Sequence, residues 1–325
     1  MVQPRHGRPA AGHGHLDGLA VNAHTAYDLQ ERQKLLGMWL GLLGICFFAV
    51  TLPMTRLATG TSAAPQLSPW FVTFARAVIA AALSVVFLLA TRSRWPTAAE
   101  RGPLLLATLG NALGFPILLG WALRHVPSGH AAVFTALLPL ATAALAAWVL
   151  HQRARWGFWA CAVLGAVLVL VFSLWRAQQH GGGFGLEWAD ALLIGAVLSA
   201  AVGYVFGAKV TPTLGAERVI CWVCILALPV SLPGALLTWP QQSVVPMSWV
   251  GLAYVGVFSM WAGFFAWYRG LAWGGTLRVS QLQLLQPFVS MLAAVPLLGE
   301  PLEFSTIVFA LAVVATVLVG KRLAQ

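Results

Sequence analysis

Apolar runs about the length of a membrane crossing dominate this chain and constrain its fold more than any other feature. A helix needs about 20 consecutive apolar residues to span a bilayer. Ten such runs follow a polar N-terminal stretch, at residues 35–57, 68–91, 102–123, 129–150, 156–175, 188–209, 218–238, 248–267, 277–298 and 301–320. The sequence therefore predicts an all-α, multi-pass integral membrane protein with ten transmembrane helices.

Composition and charge support that class. The chain is 59% hydrophobic and 9% charged, whereas soluble domains carry roughly 25% charged residues. Its net charge of +10 lies in short loops and in the N-terminal stretch, where basic residues orient membrane helices. We expect membrane lipids as partners and no nucleic acid.

The positions of the basic residues predict the orientation. With the N-terminus in the cytoplasm, the Lys and Arg side chains fall on the cytoplasmic side, with four exceptions. Arg56, Arg124 and Arg176 fall outside, and Arg76 lies within a helix. This asymmetry obeys the positive-inside rule. We expect a bacterial-type inner membrane protein with both termini in the cytoplasm.

The two halves of the chain resemble each other at an offset of 148 positions. Pro139 then aligns with Pro287, and Gln152 with Glu300. Five helices per half is an odd number, so the halves enter the membrane from opposite sides, as in many transporters. We therefore expect two inverted five-helix repeats. The predicted segments are a disordered cytoplasmic tail (1–33), a first repeat (34–176), a Gly-rich linker (177–186) and a second repeat (187–325).

A very short turn, Leu298-Gly299-Glu300-Pro301, separates the last two apolar runs. Gly299 is expected to end a helix with positive φ. Pro301 suits the first position of the next helix. Glu300 places negative charge where a helix N-terminus favours it.

These features together resemble the drug/metabolite transporter superfamily, of the EamA type. The resemblance covers nearly everything after residue 33. One motif is the turn at Gly299 after a helix with Pro287, and another is the helix Pro69-Trp70-Phe71-Val72-Thr73-Phe74-Ala75-Arg76. The third is Pro127-Ser128-Gly129-His130-Ala131-Ala132, which leads to Leu138-Pro139-Leu140. It implies export or exchange of a small metabolite, often an amino acid, across the inner membrane.

The first half departs from the family pattern. It has His151-Gln152 where the family often has Gly-Glu. Either a coupling role of that acid has been lost in this half, or the residue only starts a helix and tolerates Gln.

Arg76 is the strong cation within a membrane helix. Intramembrane charge is rare and often functional, so Arg76 is a candidate for attracting a substrate carboxylate or phosphate. The alternative is a structural arginine bonded to carbonyls of a neighbouring helix.

Six uncharged side chains are further substrate-binding candidates: Asn111, Thr135, Tyr204, Trp261, Gln283 and Gln286. Amides in lipid are costly unless they meet a partner or a wet cavity. The alternatives are hydrogen bonds between helices for the polar residues and packing for the aromatic ones.

Pro139 and Pro287 are candidate hinges for alternating access, because they lie at matching places in the two halves. Proline breaks or kinks a helix. A static kink that shapes the bundle is the alternative.

Acidic residues are absent from the predicted midplane, since all nine lie in the tail, in loops or near helix ends. Passive facilitation or exchange is therefore favoured over a relay through a central carboxylate. Cys221-x-x-Cys224 lacks a second pair or a nearby His, so we expect buried cysteines, no metal and no cofactor. His13-Gly14-His15 in the tail has metal capture as a minor alternative.

The sequence predicts a secondary transporter of a small organic metabolite, not an enzyme. An amino acid or related solute is expected, moved by efflux or exchange, and a homodimer is a possible assembly. The alternatives are an exporter of neutral or cationic drug-like compounds and a non-transporting membrane sensor or assembly subunit. No motif of nucleophile and base gathers at one depth, as an enzyme would need.

Overall fold

The computed structural model describes residues 13–149, 156–179, 188–274 and 281–324, and the regular elements in these ranges are helices. The only strand-like pairing in the described ranges is a single bridge between Gly60 and Pro65. Helices suit a membrane because every backbone group is satisfied within its own segment.

The first half is built from helices joined by short turns. They are α1 (His13–Ala49), α2 (Thr51–Thr59), α3 (Pro69–Ala90), α4 (Ala98–Ala107), α5 (Phe115–His125), α6 (Ser128–Thr135), α7 (Leu138–Val149) and α8 (Trp156–Gln179). A first π-helical segment, Thr108–Gly114, joins α4 to α5. At the start of α3, Ser68 acts as the N-cap residue: its Oγ accepts the Phe71 N–H at 3.0 Å, which satisfies one of the free donors of the first turn.

The second half repeats this plan. Its helices are α9 (Trp188–Leu214), α10 (Ala216–Leu237), α11 (Pro246–Tyr254), α12 (Gly263–Gly274), α13 (Gln286–Leu298) and α14 (Phe304–Ala324). A second π-helical segment, Val255–Ala262, joins α11 to α12. A 3-10 helix, Gln281–Leu285, precedes α13.

Helix occupies most of the described part of each of the ten predicted runs, although residues 136–137 form a turn and residues 301–303 precede α14. By length and composition, seven described helical stretches are able to cross a membrane: Glu31–Thr59, Pro69–Ala90, Ala98–His125, Ser128–Val149, Trp188–Leu214, Ala216–Leu237 and Pro246–Gly270. Leu282–Leu298 and Phe304–Thr316 are shorter apolar helices. Large apolar side chains remain exposed on the outside of the bundle, among them Trp39, Leu89 and Leu237, as expected for a lipid-facing surface.

Within the N-terminal stretch, helix α1 begins at His13. Residues 13–33 contain no proline and several Ala and Leu residues, which are good helix formers. Residues 1–12 of the predicted tail and 180–186 of the predicted linker lie outside the described residues, as do Leu150, His151 and Gln152.

The turn after α13 confirms one prediction and corrects another. Gly299 ends α13 with φ 67° and ψ 19°, in the left-handed region, as predicted. Pro301 is not the first residue of the next helix, because α14 begins only at Phe304. The Glu303 carbonyl accepts the Ile307 N–H at 3.2 Å, so Glu303 rather than Pro301 receives the first helical bond of α14.

Close pairing of helices across the two halves builds the bundle. α1 packs on α12, α3 on α10, α5 on α9, and α8 on α14. The α1–α12 crossing depends on glycine, since a Cβ on Gly270 would lie 2.6 Å from the backbone nitrogen of Gly41. Small residues at such crossings let helix backbones approach.

Interruptions of the regular α-helices occur at positions about 148 residues apart in the two halves. The π-helical segments begin at Thr108 and Val255 and end at Gly114 and Ala262, which agrees with the offset to within one residue. The helices α7 and α13 begin at positions 138 and 286, each with proline as the second residue. The break before α7 is a turn at residues 136–137, and the break before α13 is the 3-10 helix.

Candidate functional site: a cavity between the two halves

A cavity lies between the halves, where the helix breaks gather. Both π-helical segments and the first residues of α7 and α13 reach it. Its lining residues are Phe48, Thr51, Leu52, Arg76, Asn111, Phe115, Thr135, Leu138, Ala200, Tyr204, Ser259, Met260, Phe264 and Gln286. Irregular backbone at membrane depth is tolerated where it lines such a cavity.

Arg76 is the charged residue of this lining, and only 3% of its surface is exposed. Its Nη2 donates to Ser259 Oγ at 3.2 Å and lies 3.7 Å from Met260 Sδ. Its Nε is buried and has no hydrogen-bond partner among the described residues. No carboxylate of the described residues lies within 4.0 Å of its guanidinium. The guanidinium therefore keeps donor capacity that the described protein does not use.

Ser259 fixes one edge of that guanidinium. Its hydroxyl oxygen also lies 2.8 Å from Thr51 Oγ1 on α2, which donates to it. Because arginine only donates, Ser259 Oγ serves as the acceptor for Arg76. Thr51, Ser259 and Arg76 thus form a chain of polar contacts across the two halves.

Asn111 lines the cavity from the first π-helical segment and is buried. Its side chain lies against Gly203 on α9, where a Cβ would overlap the Asn111 amide. One turn earlier on α9, Ser199 Oγ donates to the Gly110 carbonyl at 3.3 Å. These contacts seat the first π-helical segment on α9.

Three pairs of lining residues are separated by 148 positions. They are Leu52 with Ala200, Asn111 with Ser259, and Leu138 with Gln286. The polar contacts repeat at the same offset, since Thr51 contacts the second π-helical segment and Ser199 contacts the first. Both halves thus contribute corresponding positions to one cavity.

The cavity brings together five of the seven predicted substrate-binding residues: Arg76, Asn111, Thr135, Tyr204 and Gln286. Thr135 Oγ1 donates to the Ala132 carbonyl at 3.0 Å. Tyr204 packs edge-on against Phe264, with ring centroids 6.2 Å apart.

Two predicted residues lie outside this lining. Trp261 packs against Phe265 and Phe87, with ring centroids 4.4 and 6.5 Å away. Gln283 lies on the 3-10 helix before α13. The predicted hinges Pro139 and Pro287 are the second residues of α7 and α13, directly after the two breaks that border the cavity.

Sequence reasoning missed Ser259, Thr51 and the aromatic residues Phe48, Phe115 and Phe264. Ser259 could have been predicted from the internal repeat, because it lies 148 residues after the candidate Asn111. Thr51 and the phenylalanines carried no comparable signal, since apolar helices contain many such residues.

One end of the bundle, here called the Arg56 end, is where α2, α5 and α13 finish and α6 and α9 begin. Arg56 Nε pairs with Glu300 Oε1 at 3.1 Å, and Arg56 Nη1 donates to the carbonyls of Leu123 and Val126. The Glu300 carboxylate also accepts the backbone N–H groups of Ser128 at 3.1 Å and Gly129 at 3.4 Å. Glu300 therefore places its charge at a helix N-terminus, as predicted, but the helix is α6 of the other half.

A buried pair lies beside this contact. His130 Nε2 on α6 is 2.7 Å from Asp190 Oδ1 on α9. His130 is 4% exposed and Asp190 is 1% exposed. The pair joins the two halves at the Arg56 end.

The opposite end, here called the Arg94 end, is also tied across the halves. Arg94 pairs with Glu100 at 2.7 Å and donates to the Thr213 carbonyl at 3.0 Å. Thr213 Oγ1 donates to Glu100 at 2.6 Å. The hydrogen bond to Glu100 raises the pKa of the Arg94 guanidinium, so this contact stays charged throughout the physiological pH range.

Cys221 and Cys224 are fully buried in the apolar core, as the sequence predicted for them. Both are free thiols on α10. They pack among side chains of α3, α9 and α12.

Comparison with known proteins supports a transporter. The family model described as "EamA-like transporter family" matches residues 35–174 and 187–320. The chain is 38% identical over 290 residues to "Uncharacterized transporter YdeK" of Bacillus subtilis (strain 168), which covers 88% of this chain and 98% of that protein. A solved structure described as "Crystal structure of protein" shares its fold, with a TM-score of 0.60 at 22% identity over 89% of this chain and 97% of the other. Since the family model covers both halves, this multi-pass membrane protein belongs to the EamA-like transporter family of the drug/metabolite transporter superfamily.

Proposed function

We propose that this protein is a secondary transporter for a small organic metabolite that carries a carboxylate, with the Arg76 cavity as its substrate site. The observation that carries the proposal is the buried Arg76 guanidinium, which lines a cavity and has no carboxylate of the described residues within 4.0 Å. Burying a charge without a partner is costly. A substrate carboxylate entering the cavity supplies that partner.

The geometry of Arg76 suits a carboxylate. Ser259 and Met260 contact Nη2, so the N–H groups of Nε and Nη1 remain to donate to a carboxylate. Hydrogen bonds between an ionised donor and an ionised acceptor are about twice as strong as neutral ones. Ser259 and Thr51 hold the guanidinium in place before the solute arrives, which reduces the cost of ordering it on binding.

The remainder of the lining selects the rest of the solute. Phe48, Phe115, Phe264 and Tyr204 offer aromatic faces, which suit an apolar or aromatic side chain. The lining also offers oxygen atoms that can accept hydrogen bonds from an amino group. They belong to the amides of Asn111 and Gln286 and to the hydroxyls of Thr51 and Thr135. An amino acid or a closely related solute combines these features.

The expected mechanism is alternating access in a bundle of ten membrane helices, arranged as two inverted repeats. The matching π-helical segments and the lining pairs at the 148-residue offset support this arrangement. The Arg56–Glu300 contact and the contact of Arg94 with Thr213 join the halves at opposite ends. Opening of one end while the other stays closed would expose the cavity to each side in turn.

Pro139 and Pro287 are the proposed hinges. Each follows a break that borders the cavity, so a small change at the break would reorient α7 or α13. Such hinge residues absorb the backbone change of a domain motion. With both termini in the cytoplasm, as the basic residues indicate, the Arg56 end faces outward. We expect efflux or exchange across the inner membrane, as the family resemblance implies.

Counterflow in proteoliposomes tests this function. Vesicles loaded with an unlabelled amino-acid pool are diluted into trace labelled amino acids, and each unlabelled competitor is paired with its amide, which lacks the carboxylate. We expect saturable uptake that the free acids inhibit and the amides do not. Uptake no faster than in protein-free vesicles, or equal inhibition by amide and acid, would refute a carboxylate carrier.

A further inference from the structure

The described lining of the Arg76 cavity carries a single positive charge, which comes from Arg76. Arginine stays protonated in proteins. The other polar side chains of this lining are uncharged hydroxyls and amides: Thr51, Asn111, Thr135, Tyr204, Ser259 and Gln286. The charge of the occupied cavity is therefore decided by the net charge of the solute.

The acidic residues described from α2 onward lie at the two ends of the bundle, away from this cavity. On α9, Asp190 precedes the lining residue Ala200 by ten positions, roughly 15 Å of helix. On α13, Glu300 follows a helix of 13 residues that begins at the lining residue Gln286, roughly 20 Å long. Glu303 lies beside Glu300, and the other acids, at the Arg94 end, are Glu100 and Glu217.

These carboxylates are also engaged where they lie. Four of them have a basic partner at 2.7 to 3.1 Å: Glu100 with Arg94, Asp190 with His130, Glu217 with Arg269, and Glu300 with Arg56. Their charges act at the ends of the bundle. The described protein therefore offers a solute in the Arg76 cavity a cation and uncharged polar groups.

A zwitterionic amino acid would bring a second cation into this lining. Its ammonium nitrogen is two bonds from the carboxyl carbon, so a carboxylate bound to Arg76 holds the ammonium in the same cavity. Like charges repel more strongly where the dielectric constant is low, and a buried ammonium is costly unless it is paired with an opposite charge. The oxygen atoms of the lining can accept its hydrogen bonds, but they do not neutralise it.

A solute with one negative charge leaves the cavity neutral instead. A hydroxyl, a keto oxygen or an acylated nitrogen can stand where the amino acid has its ammonium. Asn111 and Gln286 suit such groups, because each amide offers both donors and an acceptor. Thr135 donates its own proton to the Ala132 carbonyl, so its oxygen remains to accept a hydrogen bond from the solute.

We propose that the Arg76 cavity prefers monoanionic solutes over zwitterionic amino acids. The preferred class joins a carboxylate to an apolar or aromatic side chain and has an uncharged group at the amino position, as 2-hydroxy acids, 2-oxo acids and N-acylated amino acids do. The inference rests on the proposed carboxylate carrier and narrows its solute.

Counterflow with nearly isosteric acids tests this preference. Phenylalanine and 3-phenyllactate share a carboxylate and a ring and differ in carrying an ammonium or a hydroxyl, and N-acetylphenylalanine is the second monoanion. Proteoliposomes at neutral pH are loaded with each unlabelled acid and diluted into its labelled form, and uptake by protein-free vesicles is subtracted. We expect half-saturation for both monoanions at concentrations about tenfold lower than for phenylalanine, because the ammonium lacks a charged partner.

A carboxylate placed in the lining should reduce the preference. Gln286→Glu adds a negative charge with little change in size, so the ratio of half-saturation concentrations, phenylalanine over 3-phenyllactate, should fall about tenfold. Gln242→Glu is the matched control, because Gln242 is exposed on the loop between α10 and α11, and it should keep the wild-type ratio. Asn111→Asp makes the same change from the other half and decides the result if Gln286→Glu does not fold.

The outcomes separate this inference from the proposed function. Half-saturation for phenylalanine at or below the concentrations found for the monoanions would overturn the preference and leave the carboxylate carrier standing. An unchanged ratio in folded Gln286→Glu and Asn111→Asp proteins would show that the charge of the lining does not set the preference. Saturable exchange of none of the three acids would overturn the carrier and the preference together.

Discussion

Asn111 and Ser259 are 148 residues apart in the sequence, and both line one cavity from π-helical segments in opposite halves of the bundle. Each segment is seated by a hydroxyl from the other half: Ser199 for the first and Thr51 for the second. The two residues nevertheless differ in their contacts, because Ser259, unlike Asn111, is hydrogen-bonded to Arg76. The second half therefore holds the guanidinium through Ser259, and the first half supplies both Arg76 and the Asn111 amide.

Ser259→Ala tests whether that contact positions Arg76. The change removes the acceptor for the guanidinium, and a hydrogen bond to a charged group is worth roughly 1.5–3 kcal/mol. We expect the half-saturation concentration for exchange to rise by about tenfold, with the maximal rate less affected. Ser231→Ala is the control, because Ser231 is fully buried on α10 and its hydroxyl finds no hydrogen-bond partner in the described part of the chain. Equal kinetics for the two variants would deny Ser259 this role.

Gly203→Ala tests the position of Asn111 without altering that residue. A Cβ at position 203 would overlap the Asn111 side chain, which can rotate away into the cavity more readily than the backbone can move. We expect a folded protein with exchange reduced about as much as in Asn111→Ala. Gly102→Ala provides the matched control, since a Cβ there meets nothing within 4 Å. Normal exchange by Gly203→Ala, measured by counterflow, would show that the Asn111 position does not matter.

Much of the fold was predictable because apolar length directly reports helices in a membrane. Gly299 was predictable for a local reason, since ending a helix with positive φ favours glycine. Pro301 was mispredicted because the turn extends to Glu303, which the local sequence does not indicate.

The site was predictable where a residue type is costly in lipid, as for Arg76 and Asn111. It was harder to predict where the rotation of a helix decides which face meets the cavity. Gln286 lines the cavity as the first residue of α13, whereas Gln283, on the 3-10 helix one step earlier, is not part of the lining. Trp261 follows Ser259 by two residues in a π-helical segment and points to Phe87 instead of the cavity.

Glu300→Gln tests the tie at the Arg56 end. The change removes the ion pair with Arg56 and weakens the bonds from Ser128 and Gly129. We expect the free energy of unfolding to fall by about 1–3 kcal/mol, the cost of leaving a largely buried hydrogen-bonding group without its partner. Thermal unfolding in detergent measures this loss.

Glu31→Gln is the control for that measurement. Its carboxylate pairs with Lys34 at 2.7 Å, but both side chains are far more exposed than Arg56 and Glu300. Exposed pairs contribute about 0–1 kcal/mol, so this variant should unfold close to the wild type. A Glu300→Gln protein as stable as Glu31→Gln would contradict a stabilising tie between the halves.

Counterflow by Arg76→Ala in proteoliposomes tests the central claim most directly, with the exposed Arg101→Ala as its control. Removal of a buried guanidinium without a carboxylate partner should leave the protein folded, which thermal unfolding checks in the same preparations. The account predicts that Arg76→Ala loses saturable exchange of carboxylate solutes, while Arg101→Ala exchanges at the wild-type rate. A folded Arg76→Ala protein that exchanges the same solutes with unchanged half-saturation would contradict it.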